Sequence, residues 1–235
     1  MTNHIGTFTD EISPQFIEEM KSIGTKRNMH ESQLLFLDGE QAENIFFIHS
    51  GAVQLIKATA NGKELTLGVC GAGELIGVTG LFHNDILYDA TASTIAPSEI
   101  SIIPRLQLEK LLTQNGDFCI EFMRWMATVH RRTRSKFRDL LLNGKTGALY
   151  STLIRMCNTY GKETPTGILI DLPLTNRELA QYIGLTRESV NRMLADLKKL
   201  DVIELKPNGC IEVKDLHYLK DAIFCDDCPP DICRI

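Results

Sequence analysis

The chain has 235 residues, 43% of them apolar, which is enough for one large domain or two small domains with ordinary cores. Its formal net charge of −5 does not indicate nucleic-acid binding by the chain as a whole, although an acidic domain can mask a basic one. No stretch approaches about 18 consecutive apolar residues, and the start lacks both a basic head and an apolar run, so we expect a cytoplasmic protein with no membrane partner.

Residues 32–104 have the pattern of an all-β domain, with short β-rich runs separated by glycine turns. A short amphipathic helix over 10–23 is predicted before them. Regular strands with frequent glycine turns are typical of a small antiparallel barrel or jelly roll. The runs are 34–37, 45–48, 52–56, 65–69 and 99–103, and the turns are at Asp38-Gly39, Ser50-Gly51, Asn61-Gly62 and Gly71-Ala72-Gly73.

Residues 106–144 predict one long amphipathic helix, because 106–142 contains no proline and a single glycine, Gly116, near its start. A long apolar seam needs a partner surface, so we expect two copies to pair through this helix as a homodimer. Packing of the helix along its own barrel is the alternative. The seam consists of Phe118, Phe122, Trp125, Met126, Val129, Thr133, Phe137, Leu140 and Leu141.

Two helices joined by a glycine turn are predicted after residue 174. Thr175 and Glu178 form a capping-box pattern that begins the first helix. Gly184 can adopt the left-handed turn conformation, and Thr186 can cap the second helix. A hairpin signal, Asn208-Gly209, follows, and this order of helix, turn, helix and hairpin is typical of a winged helix.

The second of these helices exposes polar side chains near its N-terminus, where two arginines oppose the helix dipole. Such arginines are explained if the helix meets guanines and phosphates in the major groove of DNA. The segment from Gly144 to Leu200 carries eight Lys or Arg and five Asp or Glu, a net charge of +3, and a plain helical hairpin with solvated charges is the alternative. The predicted DNA-binding residues are Arg187, Glu188, Ser189, Asn191 and Arg192, with Thr175 and Thr186 at the two helix starts.

In this order of parts, and most specifically in the stretch LTNRELAQYIGLTRESVNRML at 174–194, the chain resembles the Crp/Fnr family of bacterial transcription regulators. The resemblance implies an α+β fold and a regulator rather than an enzyme. The implied domains are a cyclic-nucleotide-binding-like sensor barrel (jelly roll) at 1–105, a dimerisation helix at 106–144, a winged helix-turn-helix at 145–220 and a cysteine-rich tail at 221–235.

The resemblance also implies how the protein reads double-stranded DNA. Arg187, Glu188 and Arg192 match the base-contacting positions of the family's recognition helix, where glutamate accepts from cytosine and arginine donates to guanine. Arg187 is typical of members that prefer a TGTGA-like half-site, so a homodimer is expected to bind an inverted repeat. The predicted loop 161–167 corresponds to a family loop that contacts RNA polymerase, and a solvated turn is the alternative.

The barrel departs from the cyclic-nucleotide-binding members of the family at the ligand positions. Val78 stands where those members have a glutamate for the ribose, and Tyr88 and Asp89 replace an Arg-Ser pair for the cyclic phosphate. Because Asp89 would repel a phosphate, we expect no cyclic nucleotide to bind and the barrel to serve as a scaffold. A cupin-like enzyme is also disfavoured, since His49 and His83 do not form the histidine cluster that cupins require.

Three of the seven cysteines, Cys225, Cys228 and Cys233, fall within nine residues. Because two consecutive prolines interrupt this segment, we expect an unstructured tip rather than a helix. Close thiols on such a tip are typical of a metal or cluster site, a redox switch or a disulfide. The remaining cysteines are interpreted as small buried hydrophobic residues: Cys70, Cys119, Cys157 and Cys210.

The spacing Cys-x2-Cys-x4-Cys is similar to that of the Bacillus-type Fnr regulators, which carry a 4Fe-4S cluster on a C-terminal extension. That resemblance implies three thiolate ligands and Asp139, on the predicted dimer helix, as the fourth ligand. A structural zinc site or a thiol–disulfide switch on the same cysteines remains open, and Asp139 is alternatively a salt-bridged surface residue. The rival ligands are Asp226, Asp227, Asp231, His217 and Cys210.

These expectations combine into the hypothesis of an oxygen-sensing regulator that controls anaerobic genes such as those of nitrate respiration and fermentation. An oxygen ligand on iron is more exchangeable than a thiolate, so such a cluster should be open to attack by oxygen or nitric oxide. The cluster would tie the tail to the end of the dimer helix and fix the two winged helices at the operator spacing. Its loss would free the tail and lower the affinity for DNA.

Overall fold

The computed structural model describes residues 8–62, 64–84 and 86–235, so residues 1–7, 63 and 85 of the predicted barrel domain lie outside the description. Contacts between Cα atoms divide the chain into two compact units, and the boundary lies between Ala127 and Thr128. Within the described ranges, no helix is both long and apolar enough to cross a membrane.

The first unit is built on two four-stranded antiparallel sheets, with the orders β1-β8-β3-β6 and β2-β7-β4-β5. The strands are β1 (Thr25–Met29), β2 (Leu34–Phe36), β3 (Asn44–Ser50), β4 (Ala52–Ala58), β5 (Glu64–Gly71), β6 (Leu75–Ile76), β7 (Thr91–Thr94) and β8 (Ser98–Pro104). Helices α1 (Phe8–Glu11) and α2 (Pro14–Ser22) precede them, and a 3-10 turn covers Val78–Gly80. The predicted β-domain is confirmed, although β1 was not predicted because its side chains are polar and mostly exposed.

The core of this unit is apolar and drawn from strands of both sheets. Tyr88 is 4% exposed and belongs to this core, and its ring stacks on Phe36 with the ring centroids 3.9 Å apart. The Tyr88 hydroxyl donates to the carbonyl of Asn44 at 2.7 Å and accepts from the amide of Asn44 at 3.1 Å. The other core members are Ala42, Phe46, Ile48, Val53, Ile76, Ala92 and Ile100.

The predicted single helix of 106–144 is in fact two helices, α3 (Arg105–Gln114) and α4 (Gly116–Leu142). The break lies at Asn115, whose backbone is extended and whose side chain accepts a hydrogen bond from the amide of Phe118 at 3.2 Å. Asn115 therefore caps the start of α4, and this local bond competes with continuation of α3.

The apolar seam of α4 divides into a buried first half and an exposed second half. Phe118 and Phe122 are buried in the first unit, and Phe118 stacks on Phe16 of α2 with the ring centroids 4.7 Å apart. This half therefore packs against α2 of its own unit. In the second half, Phe137 and Leu141 remain 63% and 64% exposed.

The second unit contains the predicted winged helix. Its helices after α4 are α5 (Gly144–Tyr160), α6 (Asn176–Ile183), α7 (Arg187–Lys199) and α8 (Leu216–Ala222). Its strands are β9 (Gly161–Thr164), β10 (Gly167–Ile170), β11 (Ile203–Leu205) and β12 (Ile211–Val213), in the sheet order β11-β12-β10-β9.

The predicted loop 161–167 is an antiparallel hairpin rather than a loop. Thr164 pairs with Gly167 across the turn, and the Thr164 hydroxyl donates to the Gly167 carbonyl at 3.1 Å. Pairing of β10 with β12 then joins this hairpin to the wing. The two glycines and the proline indicated a loop from sequence, but the ladder to β12 gives the segment a strand conformation.

Candidate DNA-reading helix and cysteine pocket

The predicted helix-turn-helix forms as its local signals require. The Thr175 hydroxyl accepts from the Glu178 amide, and the Glu178 carboxylate accepts from the Thr175 amide, so the capping box is complete. Gly184 has a φ of 64°, in the left-handed region that favours glycine. Thr186 caps α7 by accepting from the Ser189 amide at 3.3 Å. These caps fix where α7 begins and therefore where its exposed face begins.

The N-terminal end of α7 presents charged side chains to solvent. Arg187, Glu188 and Arg192 are all exposed there. The side chain of Asn191 accepts a hydrogen bond from Asn176, which ties α7 to α6. The predicted DNA-binding side chains are all exposed or half-buried: Thr175, Thr186, Arg187, Glu188, Ser189, Asn191 and Arg192.

A buried carboxylate holds the sheet of the wing together. Glu212 of β12 is 2% exposed, pairs with Lys206 at 2.7 Å and accepts from Thr166 at 2.6 Å and from Thr164. Lys206 in the first place, and then the two hydroxyls, hold the pKa of Glu212 at about 2. Glu212 is therefore ionised at neutral pH, and its contacts join β12 to Lys206 and to the turn between β9 and β10.

The three tail cysteines and Asp139 line one pocket of about 190 Å³ in the second unit. A single water needs only roughly 10–15 Å³ of such space, so this pocket can hold a group of several heavy atoms. Asp139 lies in the last turns of α4, whereas Cys225, Cys228 and Cys233 follow α8. The fold thus brings together all the predicted cluster ligands, although they are far apart in sequence.

Asp139 is 7% exposed and paired with two arginines that also line the pocket. Arg155 donates from Nη2 to Oδ2 at 2.6 Å, and Arg138 donates to Oδ1 from Nε at 3.1 Å and from Nη2 at 2.9 Å. The bond to Asp139 is the main cause that raises the pKa of Arg138. Asp139 is therefore salt-bridged, as the alternative interpretation proposed, but it is buried rather than on the surface.

The tail is packed, which corrects the expectation of an unstructured tip. Ile232 and Cys233 are only 5% and 8% exposed. Side chains of the second unit bind the tail's main chain: Arg132 donates to the Asp231 carbonyl at 2.6 Å, and Asn158 donates to the Cys233 carbonyl at 2.7 Å. The prolines prevent regular structure, but these donors supply the hydrogen bonds that buried carbonyls require.

All seven cysteines are free thiols, but their surroundings differ. Cys157 lies inside α5, and burial raises its pKa to about 12, in agreement with its interpretation as a buried hydrophobic residue. Burial also raises the pKa of Cys233; Arg155 opposes this shift, while the other two tail thiols and Asp139 add to it. The tail thiols and Asp139 therefore share one electrostatic environment.

The rival ligands are placed less favourably. Asp226 lines the pocket, but its side chain is 63% exposed and ion-paired with Arg138. In the part of the chain that the structure describes, no group of three or more His, Cys, Asp or Glu side chains is arranged to hold a single metal ion. The rivals outside its lining are Asp227, Asp231, His217 and Cys210.

Arg155 is the residue of this pocket that the sequence analysis missed. It is 1% exposed and lies between Ile154 and Met156 on α5. A lone charged residue in a long apolar run was the available signal, because such a residue needs a buried partner of opposite charge. The partner, Asp139, lies on another helix and could not be identified from spacing.

A β-domain, a long helix and a winged helix that presents arginines together define a DNA-binding transcription regulator rather than an enzyme. Two family models match the chain: a cyclic nucleotide-binding domain at residues 26–115 and a Crp-like helix-turn-helix domain at residues 147–222. The chain belongs to the Crp/Fnr family of transcription regulators.

Its curated relatives include two kinds of bacterial regulator. The chain is 45% identical over 227 residues to the anaerobic regulatory protein of Bacillus subtilis (strain 168), an alignment that covers 97% of this chain and 95% of the relative. It is 30% identical over 177 residues to the global nitrogen regulator of Synechocystis sp., covering 74% of this chain and 78% of the relative.

Solved structures show the same fold. FixK2 from Bradyrhizobium japonicum matches with a TM-score of 0.73 at 18% identity, over 85% of this chain and 97% of that one. The global regulator CLP of Xanthomonas campestris matches with a TM-score of 0.70 at 21% identity, over 86% of this chain and 100% of that one. These likenesses confirm the predicted α+β fold and no more.

Proposed function

We propose that the protein is an oxygen-responsive transcription regulator that holds a 4Fe-4S cluster in the pocket of its cysteine tail. Cys225, Cys228 and Cys233 supply three ligands, and Asp139 supplies the fourth. The observation that carries the proposal is that these residues, distant in sequence, line one pocket. The name of the Bacillus subtilis relative, an anaerobic regulatory protein, supports control of anaerobic genes such as those of nitrate respiration and fermentation.

The donor atoms of the pocket fit such a cluster. Cysteine thiolates are the usual ligands of iron–sulfur clusters, and some natural clusters replace thiolates by other side chains. Since the external ligands of a cubane surround a body several atoms across, they need to line a shared cavity rather than meet at one point. When bound, the cluster would supply the reactivity toward oxygen that the side chains lack.

The residues around the ligands would hold this group in place. Arg138 and Arg155 bring positive charge to a pocket whose ligands are anionic when bound, and this charge offsets part of the cost of burial. Cys233 and Asp139 are buried and exclude water on one side. The tail residues Cys225 and Cys228 are half-buried, so the other side is accessible to a molecule as small as oxygen or nitric oxide.

On DNA, we propose that a homodimer reads an inverted repeat of TGTGA-like half-sites. Arg187, Glu188 and Arg192, exposed at the start of α7, are the candidate base contacts. Phe137 and Leu141, exposed on α4, offer an apolar surface that a second copy would cover. The turn between β9 and β10 is the candidate contact with RNA polymerase.

The deciding experiment is an anaerobic assay of iron, sulfide and zinc, with an absorbance spectrum and a DNA-binding measurement before and after exposure to air. The proposal expects about four irons and four sulfides per chain, with bleaching in air that parallels loss of binding to a TGTGA palindrome. One zinc per chain with no effect of air would establish the structural zinc site instead. A metal-free protein that reductant alone restores would establish the thiol–disulfide switch.

The DNA-reading assignment has its own test, independent of the cluster. Arg187→Ala should weaken binding to the palindrome by about 1–3 kcal/mol and relax the preference at one base pair of each half-site. Lys199→Ala, at the exposed end of the same helix, is the matched control and should leave that preference unchanged. Anisotropy titrations at fixed salt, with the palindrome and single-base variants, measure both effects. An unchanged base preference in Arg187→Ala would contradict the assignment.

A further inference from the structure

Helix α5 carries a charged residue in the middle of its buried stretch. Residues 151–157 are buried without interruption, and Arg155 lies among them with 1% exposure. A buried guanidinium is costly unless its donors and its charge are matched. The partners of Arg155 therefore indicate what this position is built to hold.

The partners of Arg155 lie on α4 and in the tail. Its Nη2 donates to Asp139 Oδ2 at 2.6 Å and to the Ser135 hydroxyl at 2.9 Å. Its Nη1 donates to the carbonyls of Ile232 at 3.3 Å and Arg234 at 3.1 Å. One rigid side chain on α5 therefore joins the candidate carboxylate ligand to the main chain on both sides of Cys233.

The two arginines of the pocket have different roles. Arg138 binds the other oxygen of Asp139 and donates to Cys228 Sγ at 3.9 Å, but its side chain is 41% exposed and also reaches outward to Asp226. Arg155 is enclosed, and its planar group spans two elements in a way that a lysine ammonium, as a point charge, cannot reproduce. Removal of Arg155 would leave the tail attached to α5 through Asn158 and Thr159, with no side chain of α5 bonded to Asp139.

We propose that Arg155 is the positioning residue of the tail pocket. It holds Asp139 and Cys233 at the separation that the bound group requires. The identity of the bound group rests on the proposed function. The anchorage of the tail to α5 by Arg155 is independent of the proposed function. Because Arg155 lies within residues 147–222, which match the Crp-like helix-turn-helix domain, it also connects the pocket to the DNA-binding domain.

The test compares Arg155→Gln and Arg155→Lys with wild type and with Arg134→Gln, an exposed position on α4 that serves as the matched control. In reduced protein prepared without iron, the rate of Cys233 alkylation by iodoacetamide is followed by mass spectrometry of the tail peptide. Arg155→Lys should alkylate Cys233 roughly 10-fold faster, with little change at Cys225. Arg155→Gln also loses the positive charge that favours the Cys233 thiolate, so its increase in rate should be smaller. In anaerobic reconstitution, both should also bind the cluster roughly 10- to 100-fold more weakly, the usual effect of removing a group that orients a ligand.

The lysine variant keeps a positive charge beside Asp139 but lacks the planar guanidinium group. It therefore tests the role of that group even if the glutamine variant fails to fold. Wild-type alkylation and cluster retention in Arg155→Lys would overturn the proposal. Cluster loss with unchanged protection of Cys233 would also overturn it, since Arg155 would then act through charge alone. If wild type itself takes up no cluster, the proposed function fails and the cluster-binding role of Arg155 with it, while the alkylation rates still decide whether Arg155 anchors the tail.

Discussion

The β-domain and the cysteine pocket are both sites at which a regulator of this family could bind a small ligand, and they are built in opposite ways. In the β-domain, Tyr88 stands at a position that matches a phosphate-binding residue of the cyclic-nucleotide-binding members. Its ring lies in the apolar core against Phe36, with its hydroxyl satisfied by the main chain of Asn44. In the pocket, Asp139 and Arg155 are buried beside thiols.

The two regions differ in the chemical groups that they present to a ligand. The core of the β-domain is apolar and contains stacked rings, so a ligand that entered it would have to disrupt close packing. The tail pocket is lined by thiols, a carboxylate and two guanidinium groups. Burial of such polar groups is costly and is more typical of a ligand site than of a core. We therefore expect ligand response in the tail of the second unit, with the β-domain as a scaffold.

The largest effect on function is expected from substitution of a cysteine in the pocket. Cys228→Ala should lower cluster affinity by roughly 100-fold or more, because a direct ligand matters at least as much as the groups that orient it, and specific DNA binding should fall with it. Iron content and binding to the palindrome, both measured anaerobically, follow the two properties. Cys119→Ser, a half-buried cysteine of α4 outside the pocket, should change neither. If Cys228→Ala kept specific DNA binding, the occupancy of the pocket would not control DNA binding.

The next effect is expected in the β-domain, on stability rather than on response. Tyr88→Ala should lower the free energy of unfolding by about 3–5 kcal/mol, since it removes a buried aromatic ring from the core. Tyr88→Phe keeps the ring, loses the bonds to Asn44, and should cost only about 1 kcal/mol. Urea unfolding of the cluster-free proteins measures both. If the two variants lost the same free energy of unfolding, the hydroxyl of Tyr88, and not its ring, would be what stabilises this core.

The smallest effect, close to zero, is expected when cyclic AMP is added to wild type. A ligand at a concentration 100 times its dissociation constant would stabilise the protein by about 2.7 kcal/mol, which a thermal melt readily detects. Val78 and Asp89 lack the ribose and phosphate contacts of the binding members, so we expect no shift in Tm. A clear rise in Tm would show that the β-domain retains a ligand site, and the contrast with the tail pocket would fail.

The helix-turn-helix could be predicted almost completely, because its signals are local, whereas the β9–β10 hairpin was missed because its pairing with β12 is not local. Thr175, Glu178, Gly184 and Thr186 each act within a few residues of their own position, and the structure places all of them as expected. The break at Asn115 was equally local but was missed, because its capping bond competes with a pattern that otherwise continues as a helix.

The pocket could be predicted only in part, because its contacts join distant segments. The spacing of the tail cysteines identified three candidate ligands, and the family resemblance supplied Asp139. The order of the tail was not predictable, since it depends on donors such as Arg132 and Asn158 that lie far away in sequence. Arg155 was missed for the same reason: composition shows that a buried charge needs a partner but not where the partner lies.

Asp139 and Arg155 form a pair whose two members depend on each other unequally in descent. Replacement of Asp139 alone leaves the enclosed Arg155 without its counterion, at a cost of about 3–5 kcal/mol, whereas replacement of Arg155 alone leaves Asp139 paired with Arg138. A lineage that abandons the tail cysteines therefore loses less stability if it discards Arg155 before Asp139. Among relatives of this chain, Arg155 without Asp139 is expected to be rarer than Asp139 without Arg155.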